Sequence, residues 1–305
     1  MHNPQACVVA IGNFDGVHTG HRSLLSQAQA QAPGLPLVAV TFWPHPQSVV
    51  RPGTEPELLT DLTGRIELLA EAGVAEVRVV PFTRELMALS PQEFVDRVLL
   101  PLRPRVVCVG SNFTFGARAE GTVETLAELG ARDELGAHRF RVHVVDLIQV
   151  DDSTTCSTLV RNALAEGDVA AAAHHLGRPF RYSGIVMMGH QRGRELGFPT
   201  ANLPVQKGHA APGDGVYAGW LTVEGEDERM PAAISVGRNP TFEDVPEAVV
   251  EAYVLDRDDL KLYGKRVHVD FIERLRGNLK FDGLDSLVTQ INADVQRTRE
   301  ILAPA

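Results

Sequence analysis

The apolar pattern of this 305-residue chain changes its period once, near residue 176, and that change limits the folds open to it. Before it, Val8–Ile11, Leu37–Phe42, Val77–Val80, Val106–Val109 and Val142–Val145 are continuous valine-rich runs. Such runs read as strands buried on both faces of a parallel sheet. Helix-period stretches separate them at Ser23–Gln31, Arg65–Ala72, Pro91–Leu100 and Thr122–Leu129. The third has a complete start signal, with Ser90 as cap, Pro91 in the first turn and Glu93 closing a capping box. Repeated β-α-β units of this kind predict a doubly wound α/β domain.

After Leu176-Gly177-Arg178-Pro179 the helices stop. Tyr182–Met188, Gly215–Val223, Ala232–Val236, Val249–Leu255 and Lys265–Ile272 are short strand patterns separated by glycine and proline. Strands so closely spaced predict an antiparallel barrel or sandwich. The spacing of Leu284, Leu287, Val288, Ile291 and Val295 predicts a terminal helix over Leu284–Leu302. The expected organisation is an α/β domain over 1–176, a linker at 177–181 and a β-barrel domain with a terminal helix over 182–305.

The formal net charge of -10 argues against a nucleic-acid partner, which usually meets a basic surface. No run approaches the ~18 apolar residues of a membrane span, and the amino terminus lacks the form of a signal peptide. Cys7, Cys108 and Cys156 are far apart and odd in number, so neither a disulfide framework nor a zinc cluster is indicated. Together these point to the cytoplasm.

The first candidate site is Gly12-Asn13-Phe14-Asp15-Gly16-Val17-His18-Thr19-Gly20-His21, which joins the first strand to the first helix. In doubly wound sheets, ligands sit beyond the carboxyl ends of the strands. A helix start there offers free N–H groups and a positive dipole end to phosphate. His18 and His21, three apart, project on one side of the opening turn and can donate to phosphate oxygens. Gly20 between them would let a nucleotide approach the backbone. Two histidines at this spacing also occur on ordinary surface helices, and it is the position after strand one that favours a site.

Gly12–His21 resembles the HxGH motif of nucleotidyltransferases, in the form found in FMN adenylyltransferases of bacterial bifunctional flavin synthases. Pro44-His45-Pro46 resembles the family's second-strand turn, Gly110-Ser111-Asn112-Phe113-Thr114-Phe115-Gly116 its flavin-side loop, and Ser157-Thr158-Leu159-Val160-Arg161 its second phosphate motif. The resemblance implies attack of the FMN phosphate on the α-phosphorus of ATP, with release of pyrophosphate. It implies that Gly12, Phe14, Asp15, Gly16, Gly20, Ser157 and Thr158 bind ATP, with His18, His21 and Arg161 catalytic. Asn112 would face flavin or metal, and Phe113 would lie on the flavin side. Trp43 and Cys156 depart from the family, where an acidic residue and a serine are usual.

The second candidate site begins with Gly189, Gly193 and Gly197, evenly spaced but lacking the Gly-Lys-Ser/Thr of a Walker loop. Phe198-Pro199-Thr200-Ala201-Asn202-Leu203 follows. In extended chain Thr200 and Asn202 point to the same face and offer oxygen ligands suited to magnesium. This Pro-Thr-Ala-Asn resembles the hallmark of riboflavin kinases. Pro212–Tyr217, Ser235–Phe242, Leu262-Tyr263-Gly264 and Arg274-Leu275-Arg276 with Lys280-Phe281 resemble further motifs in the family's order. The resemblance implies that Glu251, at the start of a strand, is the general base on the ribityl hydroxyl. It further implies that Thr200 and Asn202 hold magnesium, the three glycines cover ATP, and Arg276 contacts flavin or phosphate. Tyr253 departs from a frequent histidine.

The expected function is therefore conversion of riboflavin to FMN and of FMN to FAD, with ATP consumed, ADP and pyrophosphate released, and magnesium as the metal. No nucleic-acid or membrane partner is expected, and the oligomeric state is left open. A kinase with an inactive adenylyltransferase half, and a flavin or nucleotide sensor, are the alternatives. A sensor would need neither Glu251 nor the histidine pair. The acidic balance disfavours a tRNA-directed enzyme.

Overall fold

In a computed structural model of the protein, the structure describes residues 6–131, 139–146, 149–150, 153–189, 197–238 and 248–303. Contacts divide the chain into two compact units: Met1–Pro56 with Asp61–Cys156, and Glu57–Thr60 with Ser157–Ala305.

The first unit is built on strands β1 (Cys7–Ile11), β2 (Leu37–Trp43), β3 (Glu76–Pro81), β4 (Pro104–Gly110) and β5 (Arg141–Val145). They pair in parallel in the order β3-β2-β1-β4-β5. The chain winds outward in both directions from the β1–β4 junction, as a doubly wound sheet requires. Helices α1 (Thr19–Gln31), α2 (Pro46–Val50), α3 (Leu62–Glu71), α4 (Arg84–Met87), α5 (Pro91–Phe94) and α6 (Val123–Ala131) accompany it. Alternate residues of β1 serve different cores: Val9 and Ile11 meet Phe94 and Leu126, whereas Val8 and Ala10 meet Leu25 and Leu69. The predicted capping box of α5 is present, with the Glu93 amide donating to Ser90 Oγ and the Ser90 amide to the Glu93 carboxylate.

One expectation fails at the sheet edges. β3 and β5, the two edge strands, are not buried on both faces, because the helix layers cover the edges of the sheet less fully than its centre. Valine content does not distinguish an edge strand from a central one.

A two-residue ribbon, β6 (Gln149–Val150) with β7 (Ser153–Thr154), precedes the second unit. That unit opens with α7 (Ser157–Glu166) and α8 (Val169–Leu176), and Asp168 caps α8 by accepting from the Ala171 amide. The expected linker, 177–181, runs from Gly177 (φ 69°) at the end of α8 into β8 (Phe180–Ile185). Strands β9 (Thr200–Pro204), β10 (Gly215–Val223), β11 (Arg229–Arg238), β12 (Ala248–Val254) and β13 (Arg266–Arg276) follow, and α9 (Leu284–Leu302) ends the fold. The antiparallel order is β8-β13-β10-β11-β12-β9. Its two edges meet where the Met187 amide donates to the Asn202 carbonyl and the Tyr182 hydroxyl to the Pro204 carbonyl. The sheet thus curls into a barrel filled by Tyr217, Leu221, Ile234, Val250 and Phe271.

A short segment of the amino-terminal half belongs to this barrel unit. Leu58 bridges His209 in parallel, and Leu59, 4% exposed, lies in the same core as Val160 and Leu203.

Candidate active sites

In the first unit three expected motifs follow the carboxyl ends of parallel strands: Gly12–His21 after β1, the Pro44-His45-Pro46 turn after β2 and Gly110–Gly116 after β4. A parallel sheet delivers them to one edge. The β1 loop turns sharply. Gly16 (φ 79°) takes the left-handed conformation readily, but Phe14 (φ 52°) and Val17 (φ 41°) take it at a cost. Phe14 and Val17 are fully buried, which holds them there.

The loop delivers His18 to the N-cap of α1, where its Nδ1 accepts from the His21 amide at 3.4 Å. Accepting at Nδ1 leaves the proton of a neutral ring on Nε2, as a donor. The two imidazoles stack with centroids 3.7 Å apart, and Phe14 meets the His21 ring edge-on at 5.2 Å. A Cβ at Gly20 would lie 3.1 Å from the His18 ring, and one at Gly12 3.2 Å from the Phe14 ring. A side chain at either position would press on these rings, so glycine suits the ring packing, whatever it does for a ligand. Burial first, then His18, then Arg65, holds the His21 imidazole well below the usual histidine range.

Asp15, 1% exposed, lies 3.6 Å from Arg65 of α3 in a fully buried ion pair. Asn112 is exposed on the loop after β4, beside Phe113, which stacks on Phe115 at 5.5 Å. His45 caps α2, accepting from the Gln47 amide at 3.2 Å. Burial pushes the Cys108 thiol up to about 12. Ser157 and Thr158 begin α7, and Arg161 Nε on the same helix donates to the Glu57 carbonyl at 2.6 Å.

In the second unit the register assembles the site. Glu251 pairs with Asn202, and Tyr253 with Thr200, across β12 and β9. All four are half-buried, whereas Ala201, Val250 and Ala252 between them point into the core. Glu251 is the fourth residue of β12. Asn202 Nδ2 donates to the Thr200 carbonyl at 3.1 Å and to Thr200 Oγ1 at 3.2 Å, which leaves the Asn202 Oδ1 as an acceptor. Gly189 approaches so closely that a Cβ there would lie 2.5 Å from that oxygen. Gly197 (φ 85°) has the left-handed backbone that favours glycine. Gly193 and residues 239–242 of the Ser235–Phe242 motif lie outside the described residues. Tyr253 packs edge-on against Phe198 at 5.3 Å, so the residue that departs from histidine supports the start of the Pro-Thr-Ala-Asn strand.

Arg276 occupies the same transverse row, through Val216 of β10 and Ser235 of β11 to Glu251 and Asn202. Three strand spacings separate it from Glu251, roughly 14 Å on a flat sheet. Its guanidinium is gripped bidentately by Asp294 of α9, with Nε–Oδ1 at 3.0 Å and a second terminal nitrogen to Oδ2 at 2.7 Å. The sequence reading missed Arg65 and Asp294. The signal was available in both cases: each charged residue falls on the buried stripe of an otherwise amphipathic helix, beside Leu69 and Val295.

Two family models match the chain: FAD synthetase over residues 1–159 and riboflavin kinase over residues 176–302. A Listeria monocytogenes protein named bifunctional riboflavin kinase/FMN adenylyltransferase is 37% identical, covering 97% of this chain and 92% of its own length. An Escherichia coli K12 protein of the same name is 36% identical over 97% of this chain and 93% of its length. A crystal structure described as a macrolide-efflux protein from Streptococcus pneumoniae superposes with a TM-score of 0.84 at 31% identity, covering 96% of this chain and 94% of that one.

Proposed function

The chain belongs to the family of bifunctional riboflavin kinases/FMN adenylyltransferases, an ATP-using transferase of flavin-cofactor synthesis, and we propose which residues perform its two steps. This reading follows the two family models, which between them match residues 1–159 and 176–302, rather than the efflux description of the Streptococcus pneumoniae structure.

In the kinase step the ribityl 5′-hydroxyl of riboflavin attacks the γ-phosphorus of ATP, the bond to the bridging oxygen breaks, and ADP leaves. Glu251 takes the hydroxyl proton. Thr200 Oγ1 and Asn202 Oδ1 are held together by the hydrogen bond between their side chains, beside a cradle that only glycine at 189 leaves open. Two neutral oxygens suit magnesium, which takes few protein ligands and completes its shell with phosphates and water. When bound, magnesium neutralises charge on the transferring phosphate. Gly189, Gly193 and Gly197 cover the nucleotide, and Arg276 contacts the flavin. The observation that carries this half is the direct cross-strand pairing of Glu251 with Asn202.

In the adenylyl step an FMN phosphate oxygen attacks the α-phosphorus of ATP and pyrophosphate leaves. No covalent protein intermediate is needed, so positioning and charge stabilisation carry the catalysis. The His18 and His21 rings donate to the phosphates at the start of α1. Gly12, Gly16 and Gly20 let the backbone of the loop approach the nucleotide, while buried Phe14 and Asp15 support that loop from beneath. Ser157, Thr158 and Arg161 are assigned to nucleotide phosphate, and Asn112 and Phe113 to the flavin, on the support of motif order. FMN made by one half is the substrate of the other, and the enzyme works in the cytoplasm, where its free cysteines stay reduced.

The test is to incubate the full chain with riboflavin, ATP and magnesium and to resolve the flavins by chromatography. FMN followed by FAD is expected. FMN alone would remove the adenylyl reading, and no product would leave a flavin- or nucleotide-binding protein.

A further inference from the structure

Arg65 is the largest fully buried side chain among the described residues, and nothing in the expected motifs accounts for it. It lies one turn before Leu69 on the inner face of α3. One terminal nitrogen donates to Thr41 Oγ1 at 3.4 Å and to the Phe42 carbonyl at 3.3 Å. The other lies 3.6 Å from Asp15 Oδ1, and the guanidinium carbon sits 5.4 Å from the centre of the Trp43 ring. Neither that second nitrogen nor Nε has a hydrogen-bond partner among the described residues. An ion in the interior costs several kcal/mol, roughly, and an apolar side chain of similar volume would fill the space at less cost. Packing alone therefore does not explain an arginine here.

We propose that Arg65 is a positioning residue for adenylyl transfer, acting through Asp15 and His21 without touching either substrate. The inference rests on the reading of the first unit given above. Its route is short. Arg65 grips the β1 loop directly at Asp15, and indirectly at Asn13, whose carbonyl accepts from the same Thr41 hydroxyl at 2.9 Å. Between and beyond those two points lie Phe14, Gly16 and Val17 with left-handed backbone. A loop in that conformation persists only where its surroundings over-determine it. The loop ends on His18, which caps α1 and stacks on His21. A shift of the loop is thus a shift of both imidazoles.

The second route is electrostatic. The charged and titratable groups bearing on His21 are His18 in its own turn and Arg65 on α3, with Asp15 paired to Arg65. The fixed cation, together with burial, disfavours a proton on His21 and so keeps its ring neutral. Trp43 stands where the family usually has an acidic residue, and it offers Arg65 a π face without neutralising its charge. Asp15 and, from the N-cap of α3, Asp61 are the carboxylates that bear on the cation, which in turn acts on His21.

The experiment uses the full chain and follows both activities in one preparation, across pH. R65M is expected to lower kcat for FMN adenylylation by about 100-fold, the cost of a displaced reacting geometry, with a smaller change in KM for ATP. Its acid limb should move to higher pH, because losing the cation makes His21 easier to protonate. Riboflavin phosphorylation should stay within a factor of about two of the parent, since its proposed site lies in the other unit. R65K keeps the charge and loses the fork: its kcat should fall, and its acid limb should stay where the parent has it. R65K also carries the test should R65M fail to fold. A parental kcat with an unmoved limb in R65M, or a limb displaced equally in R65K, overturns the proposal. A parent chain that forms no FAD would instead remove the adenylyl reading itself.

Discussion

Glu251 and Asn202 stand directly opposite each other on neighbouring antiparallel strands, and Thr200 lies two residues along the same face. Directly opposed side chains start about 5 Å apart at Cβ, so a base and a metal ligand placed there can address the same phosphate. The pairing is a property of register. A slip of one residue in either strand would turn Glu251 or Asn202 into the barrel core.

Gly189 guards that pair. A methyl group at this position would press on Asn202 Oδ1 at 2.5 Å. G189A is expected to raise the magnesium concentration needed for half-maximal FMN formation and to lower its rate by about 10-fold or more, the equivalent of about 1–3 kcal/mol of overpacking. FMN-to-FAD conversion should be unchanged. A magnesium titration of FMN formation, compared with the parent, decides it.

Asp294, a nearly buried carboxylate, holds Arg276 by accepting charge-assisted hydrogen bonds from its guanidinium. D294N removes the charge while keeping much of the shape. Loss of such bonds costs about 1.5–3 kcal/mol. The expected result is a riboflavin kcat/KM lower by about 10–100-fold, with the loss mainly in KM for riboflavin rather than for ATP. Steady-state kinetics with each substrate varied in turn checks this.

Leu59 tests how the second unit is assembled. It comes from the amino-terminal half of the chain, yet it packs with Val160, Leu164 and Leu203. L59A should destabilise the barrel unit by about 2–5 kcal/mol, the usual range for such a cavity. Kinase activity should therefore be lost at lower temperature than in the parent, as followed by residual activity after heating.

The half-buried His21 gives the first unit a pH-dependent stability. Its folded pKa lies well below the ordinary value of 6.5, so the unfolded chain binds the proton first as pH falls. Stability is complete above the ordinary value and declines as pH drops from there toward the folded pKa. Melting temperatures at about pH 5 and about pH 7.5 should differ more in the parent than in H21N. Equal differences would mean that His21 does not carry the effect.

Much of this arrangement was legible in the residues. The β10 strand and the terminal helix fall where the pattern put them, because Gly215–Val223 and Leu284–Leu302 have sharp chemical boundaries. The cap at Ser90 was readable because capping is local. What was not legible depends on partners distant in sequence. The edge positions of β3 and β5 follow from strand order, and the alignment of Arg276 with Glu251 follows from three successive strand registers. The burial of Arg65 against Asp15 needs α3 to pack under the β1 loop. None of these leaves a local pattern beyond a charged residue on an apolar stripe.

The central claim is that two separate sites in one chain carry out two successive ATP-dependent transfers. A crossed pair of variants tests it most directly, with riboflavin-to-FMN and FMN-to-FAD conversion measured separately on each. E251Q is predicted to abolish FMN formation and to convert supplied FMN to FAD at the parental rate. H21A is predicted to form FMN normally and to lose FAD formation. Loss of both activities in either folded variant would contradict the account.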